Sequence, residues 1–134
     1  MGCHAMKYMR YERLATDLGI PLDLAEDHLI FDGSKIGSLM KIPTSPAVQK
    51  RWFGAPPPDL TLVARVRGAD WLYTYLRSFY ADPSRPFGVN NTVFPLVGMP
   101  HVLQGLQGLP VKQEDGTLVA TGGSMTAEEY DQAM

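Results

Sequence analysis

The chain has 134 residues, 45% of them hydrophobic and 19% charged, with twelve Lys and Arg against fourteen Asp and Glu. That balance fits a folded domain and leaves no basic excess for binding nucleic acid. A lone cysteine, Cys3, excludes an internal disulfide framework and a multi-cysteine zinc site, and no apolar run reaches the ~18 residues of a membrane span.

Thirteen glycines and eleven prolines cut the chain into short pieces, with no long-period repeat. Ala5 to Leu18 lacks both residue types. Met6, Met9, Arg10, Arg13, Leu14 and Asp17 recur at helical spacing, which predicts one helix ended by Gly19-Ile20-Pro21. A short helix is expected from Leu22 to His28, with Pro21 at its start. Residues 29 to 57 read as loop, broken by Asp32-Gly33-Ser34 and Ile42-Pro43-Thr44-Ser45-Pro46. Pro57-Pro58-Asp59 is expected to open a helix interrupted at Gly68, and a second helix runs from Ala69 to about Tyr80. Trp71, Leu72, Tyr75, Leu76 and Phe79 form its apolar stripe. From Ala81 to Pro110 the prolines, glycines and Asn90-Asn91 forbid regular structure, yet Phe87, Val93, Phe94, Val97 and Met99 are too apolar for a solvated linker. Val111 to Ala120 reads as a hairpin about Asp115-Gly116, and Thr126-Ala127-Glu128-Glu129 matches a capping box.

The chemical inventory is small. The motifs H-E-x-x-H, G-x-x-x-x-G-K-[ST], G-x-S-x-G and G-x-G-x-x-G are all absent, and Cys3-His4 lacks a third group for a cysteine hydrolase. The dipeptide does match the end of C-x-x-C-H, the attachment motif of c-type haem, with Met1 and Gly2 as the two intervening positions and the first cysteine just upstream of this sequence.

Cys3-His4-Ala5-Met6-Lys7-Tyr8, Ala15-Thr16-Asp17-Leu18-Gly19, Trp52-Phe53-Gly54-Ala55, Pro57-Pro58-Asp59-Leu60, Arg67-Gly68-Ala69-Asp70 and Gly98-Met99-Pro100 follow one another in an order that resembles bacterial cytochrome c1, the haem-bearing subunit of the cytochrome bc1 complex. The resemblance covers essentially the whole chain. It implies a mainly α, cytochrome-c-like domain over residues 1–134, with long irregular loops and one small β-hairpin. It also implies that the first haem cysteine and a C-terminal membrane anchor lie outside the sequence. The implied cofactor is covalently attached haem c, with Cys3 as a thioether cysteine, His4 as proximal iron ligand and Met99 as distal ligand. Arg67 would pair with a haem propionate, and Pro57 and Pro58 would wall the haem edge. Met125 is the rival to Met99, and Arg65 the rival to Arg67.

As a redox subunit, with no catalytic activity expected alone, the chain would take electrons from the Rieske iron–sulfur protein and pass them to cytochrome c. It would sit beside cytochrome b on the periplasmic face of the bacterial inner membrane. A soluble monohaem carrier and a haemless protein-binding domain are the alternatives. Trp71, Tyr75 and Tyr8 read as packing residues, and His28 and His101 as surface histidines. Asp23, Glu26, Asp27 and Asp32, and then Glu114, Asp115, Glu128, Glu129 and Asp131, form two acidic clusters suited to steering a basic electron carrier.

Overall fold

The computed structural model describes residues 2–134. Its contacts gather into two compact units, one ending at Val66 and one beginning at Arg67.

In the first unit the expected opening helix is instead a strand, β1 (Met6–Arg10), followed by a shorter helix, α1 (Tyr11–Asp17). The helical spacing is overridden by partners far along the chain. The Lys7 amide donates to the Asp59 carboxylate (2.8 Å), the Leu60 amide to the Ala5 carbonyl (2.8 Å), and β1 pairs antiparallel with β2 (Leu39–Met40) across an irregular register. An extended backbone satisfied in this way outweighs the weak helix propensity of five residues. The helix α2 (Leu22–Leu29) starts after Pro21 as expected. Buried Tyr11, Ile30 and Met40 make the core of this unit, with Met6, Met9, Leu14 and Ile36 packed against them.

The expected loop from 29 to 57 contains not only β2 but also a helix, α3 (Pro46–Phe53). Ser45 caps it by accepting from the Val48 amide (3.4 Å), Pro46 occupies its first turn, and Gly54 ends it at φ +79°. Ser45-Pro46 is therefore a helix start rather than a breaker. The reverse holds at Pro57-Pro58-Asp59, which does not open a helix. Asp59 turns its carboxylate onto the amides of Thr61 (3.1 Å) and Lys7, and helix α4 (Val63–Arg67) begins only afterwards.

In the second unit, α5 (Ala69–Arg77) ends three residues earlier than expected, because Phe79–Ala81 form strand β3, antiparallel to β4 (Val89–Asn91). Asn90-Asn91, expected to interrupt structure, lies within that sheet. Phe79, Val89 and Val97 form the core, joined by Tyr75, Met99 and Leu109. Next come a short helix, α6 (Gln104–Gln107), the expected hairpin β5 (Val111–Lys112) with β6 (Leu118–Val119), and α7 (Ala127–Ala133) with its capping box intact. The fold is thus mainly helical with small two-stranded antiparallel sheets. Among the described residues no helix is long and apolar enough to cross a membrane.

Candidate functional site

In the first unit His4 precedes β1 and is half-buried. Its Nδ1 lies 2.7 Å from the Pro58 carbonyl oxygen. A carbonyl only accepts, so Nδ1 carries the proton and donates, leaving Nε2 with its lone pair available for a metal. Such a bond fixes the tautomer and the ring orientation. Pro58 thus contributes its carbonyl, a role that the side-chain pattern alone does not reveal. The segment carrying it is tied down by Asp59. Burial pushes the Asp59 pKa up, but hydrogen bonds from Lys7 and Thr61 and the Lys7 charge outweigh it and hold the carboxyl below its ordinary value.

Cys3 is an exposed free thiol. Its backbone carbonyl accepts from the side-chain amide of Gln49 (3.2 Å), which lies on α3, is only 4% exposed and also reaches Thr44 Oγ1 (3.4 Å). Gln49 therefore anchors the Cys3-His4 dipeptide. The clue in the sequence was a polar residue in a segment read as loop, too weak to identify it. Pro57 is half-buried and Pro58 exposed.

In the second unit Met99 is half-buried against the Phe79–Val89–Val97 cluster, and the Tyr75 hydroxyl points at its sulfur (3.5 Å). The loop leading to it is held from three sides. Asn91 Oδ1 accepts from the amides of Val93 (2.9 Å) and Phe94 (3.0 Å), Asn90 Oδ1 accepts from Leu96 (2.8 Å), and Arg85 donates to the carbonyls of Leu96 (2.9 Å) and Val97 (3.3 Å). Leu96 adopts φ +61°, a left-handed conformation that costs a leucine about 1–3 kcal/mol and that these bonds sustain. Asn90, Asn91 and Arg85 thus hold the loop that carries Met99, a role the sequence pattern did not single out. Met125 is half-buried in different surroundings, lining a groove with Tyr73, Gln107 and Tyr130.

Arg67 lays its guanidinium over the Trp71 ring, 4.8 Å from the centroid. Trp71 stacks on Tyr75 (4.9 Å, 8°), whereas Tyr8 is 72% exposed and packs little. His28 is exposed as expected. His101 corrects the reading of a surface histidine: it is 6% exposed and stacked on Phe79 (5.0 Å, 10°). Burial pushes its pKa below the ordinary value, partly offset by Gln107 and the Gly108 backbone. Several acidic side chains have local structural partners. Asp32 and Asp115 close turns onto Ser34 and Thr117, Glu129 completes the cap of α7, and Asp131 pairs with Arg77.

Among the described residues no three His, Cys, Asp or Glu side chains gather to hold a bare metal ion. In the first unit an oriented imidazole with a free nitrogen and a neighbouring thiol suit haem, which brings four nitrogen ligands of its own; in the second, a thioether lies on an apolar cluster. The class defined is therefore a mainly helical, c-type-cytochrome-like domain.

The sequence is matched by no family model. It is 47% identical to cytochrome c1 of Allochromatium vinosum, over 97% of this chain and 58% of that protein. It is also 48% identical to a protein named ammonia monooxygenase gamma subunit in Nitrosomonas europaea, over 98% of this chain and 56% of the relative. The chain spans little more than half the length of these curated relatives. It is a cytochrome c1 homologue over that part of the relative's length.

Proposed function

We propose that the chain is the haem-carrying part of a cytochrome bc1-type electron-transfer subunit. It would accept electrons from a Rieske iron–sulfur protein and deliver them to a cytochrome c, beside cytochrome b at the periplasmic face of the inner membrane. The observation that carries this reading is the His4–Pro58 hydrogen bond, which presents Nε2 as a ligand next to the thiol of Cys3, in a chain homologous to cytochrome c1.

Haem c supplies a one-electron couple when bound. Cys3 would hold it through a thioether bond, and His4 and Met99 would offer an imidazole nitrogen and a thioether sulfur to the iron. A thioether is a soft, weakly basic ligand that favours reduced iron. Arg67 offers a guanidinium to a propionate, as a planar fork suits a carboxylate. Pro57 and Pro58 would flank the haem edge, and the apolar residues around Met99 would exclude water. Asp23, Glu26 and Asp27 on α2 leave a negative face for a basic partner.

The similarity to the ammonia monooxygenase gamma subunit favours a second setting for the same haem domain. Co-purification from native membranes separates the two, since cytochrome b and the Rieske protein accompany the chain only in the first.

The ligand assignment is tested by Met99→Leu and Met125→Leu in the haem-loaded protein. Leucine keeps most of the volume, at a packing cost below about 1.5 kcal/mol. Met99→Leu is expected to abolish the weak red absorption band of oxidised iron–thioether haem and to lower the potential. Retention of the band there, with its loss in Met125→Leu, overturns the assignment.

A further inference from the structure

We propose that Tyr75 is a positioning residue that tunes the reduction potential by hydrogen bonding to the Met99 thioether, an inference that rests on Met99 being the distal ligand. Four observations converge. The Tyr75 hydroxyl oxygen lies 3.5 Å from Met99 Sδ, an ordinary distance for a sulfur acceptor. Its ring cannot turn away, being stacked on Trp71 and set edge-on to Phe79 (5.3 Å) and Phe94 (6.4 Å). Its backbone is pinned as well, because the Tyr75 carbonyl accepts from buried Asn91 Nδ2 (2.8 Å) and from the Ser78 amide (3.2 Å). The same Asn91 holds the start of the Met99 loop through Val93 and Phe94, so one side chain sets donor and acceptor together.

A thioether sulfur has two lone pairs. When one is given to iron, the second is free to accept the phenol hydrogen. That hydrogen bond withdraws electron density from the sulfur, makes it a poorer donor to ferric iron and favours the ferrous state. It also restrains the sulfur from rotating. The half-buried Tyr75 phenol takes a weak acceptor among apolar neighbours.

The test is a redox titration and oxidised-state absorption spectrum of the haem-loaded protein, with Tyr75→Phe, Tyr73→Phe and Met99→Leu alongside the unmutated chain. Tyr75→Phe removes one oxygen and keeps every ring contact, so far-ultraviolet circular dichroism should be unchanged. Its reduction equilibrium should shift about threefold toward ferric haem, ~28 mV at 59 mV per tenfold for one electron, and the iron–thioether band should move. Tyr73, on the same helix, bonds to Arg77 instead, and Tyr73→Phe should leave both readouts in place. If Met99→Leu abolishes the band but Tyr75→Phe changes neither band nor potential, the tuning role is wrong although the ligand stands. If the band survives in Met99→Leu, the ligand reading itself fails and the tuning role with it.

Discussion

At the scale of single residues, Asp59 joins chemistry to fold. Its carboxylate accepts from Lys7 and Thr61, so it clasps β1 to the segment whose Pro58 carbonyl orients His4. Because these bonds lower its pKa in the folded state, the unfolded chain binds the proton more readily. The stabilisation is therefore present above the ordinary Asp value of about 3.9 and lost as pH falls through the lower folded value. Asp59→Asn should be less stable than the unmutated chain at neutral pH, with the gap narrowing below about pH 4. Chemical denaturation across that range checks it; a gap independent of pH contradicts the role. In the sequence Cys3, His4 and Met99 stood out as candidates through the resemblance to cytochrome c1, not through residue type alone. Gln49, Asn90 and Asn91 were hidden, because their side-chain amides bond to backbone groups that tertiary structure brings to them.

At the scale of elements, the least forgiving contact is between α6 and the strand-like segment before α7. Gly108 pairs with Gly122, and the amides of Ser124 (3.0 Å) and Met125 (3.1 Å) donate to carbonyls of α6. A Cβ at Gly123 would overlap the Leu106 carbonyl and the Gln107–Gly108 peptide, and one at Gly108, where φ is +87°, would overlap Thr121. Gly123→Ala should cost more than the ~1–3 kcal/mol of ordinary backbone strain. Gly105→Ala, on α6 with open space around it, should be neutral or slightly stabilising. Thermal melts of the two variants measure the difference, and equal melting temperatures refute the close packing.

Elements with local signals were legible: α2 behind Pro21, the hairpin at Asp115-Gly116, and α7 behind Thr126. The strand β1 was not, because its partners at residues 39–40 and 59–60 lie far along the chain. The helix α3 carried readable caps in Ser45 and Gly54, but Pro43 and Pro46 together made the segment look broken.

At the scale of the whole molecule, the proposed iron ligands are separated by 95 positions (99 − 4) and belong to different compact units. Cys3, His4, Pro57 and Pro58 lie in the first, and Arg67 and Met99 in the second. The central claim, that this chain carries haem c on Cys3 and His4, is tested most directly by the absorption spectrum of protein produced with a c-type cytochrome maturation system, read before and after extraction with acidified acetone. The account predicts an intense Soret band, haem that stays with the polypeptide through extraction, and loss of low-spin haem in His4→Ala. A purified, folded protein without a Soret band would contradict it.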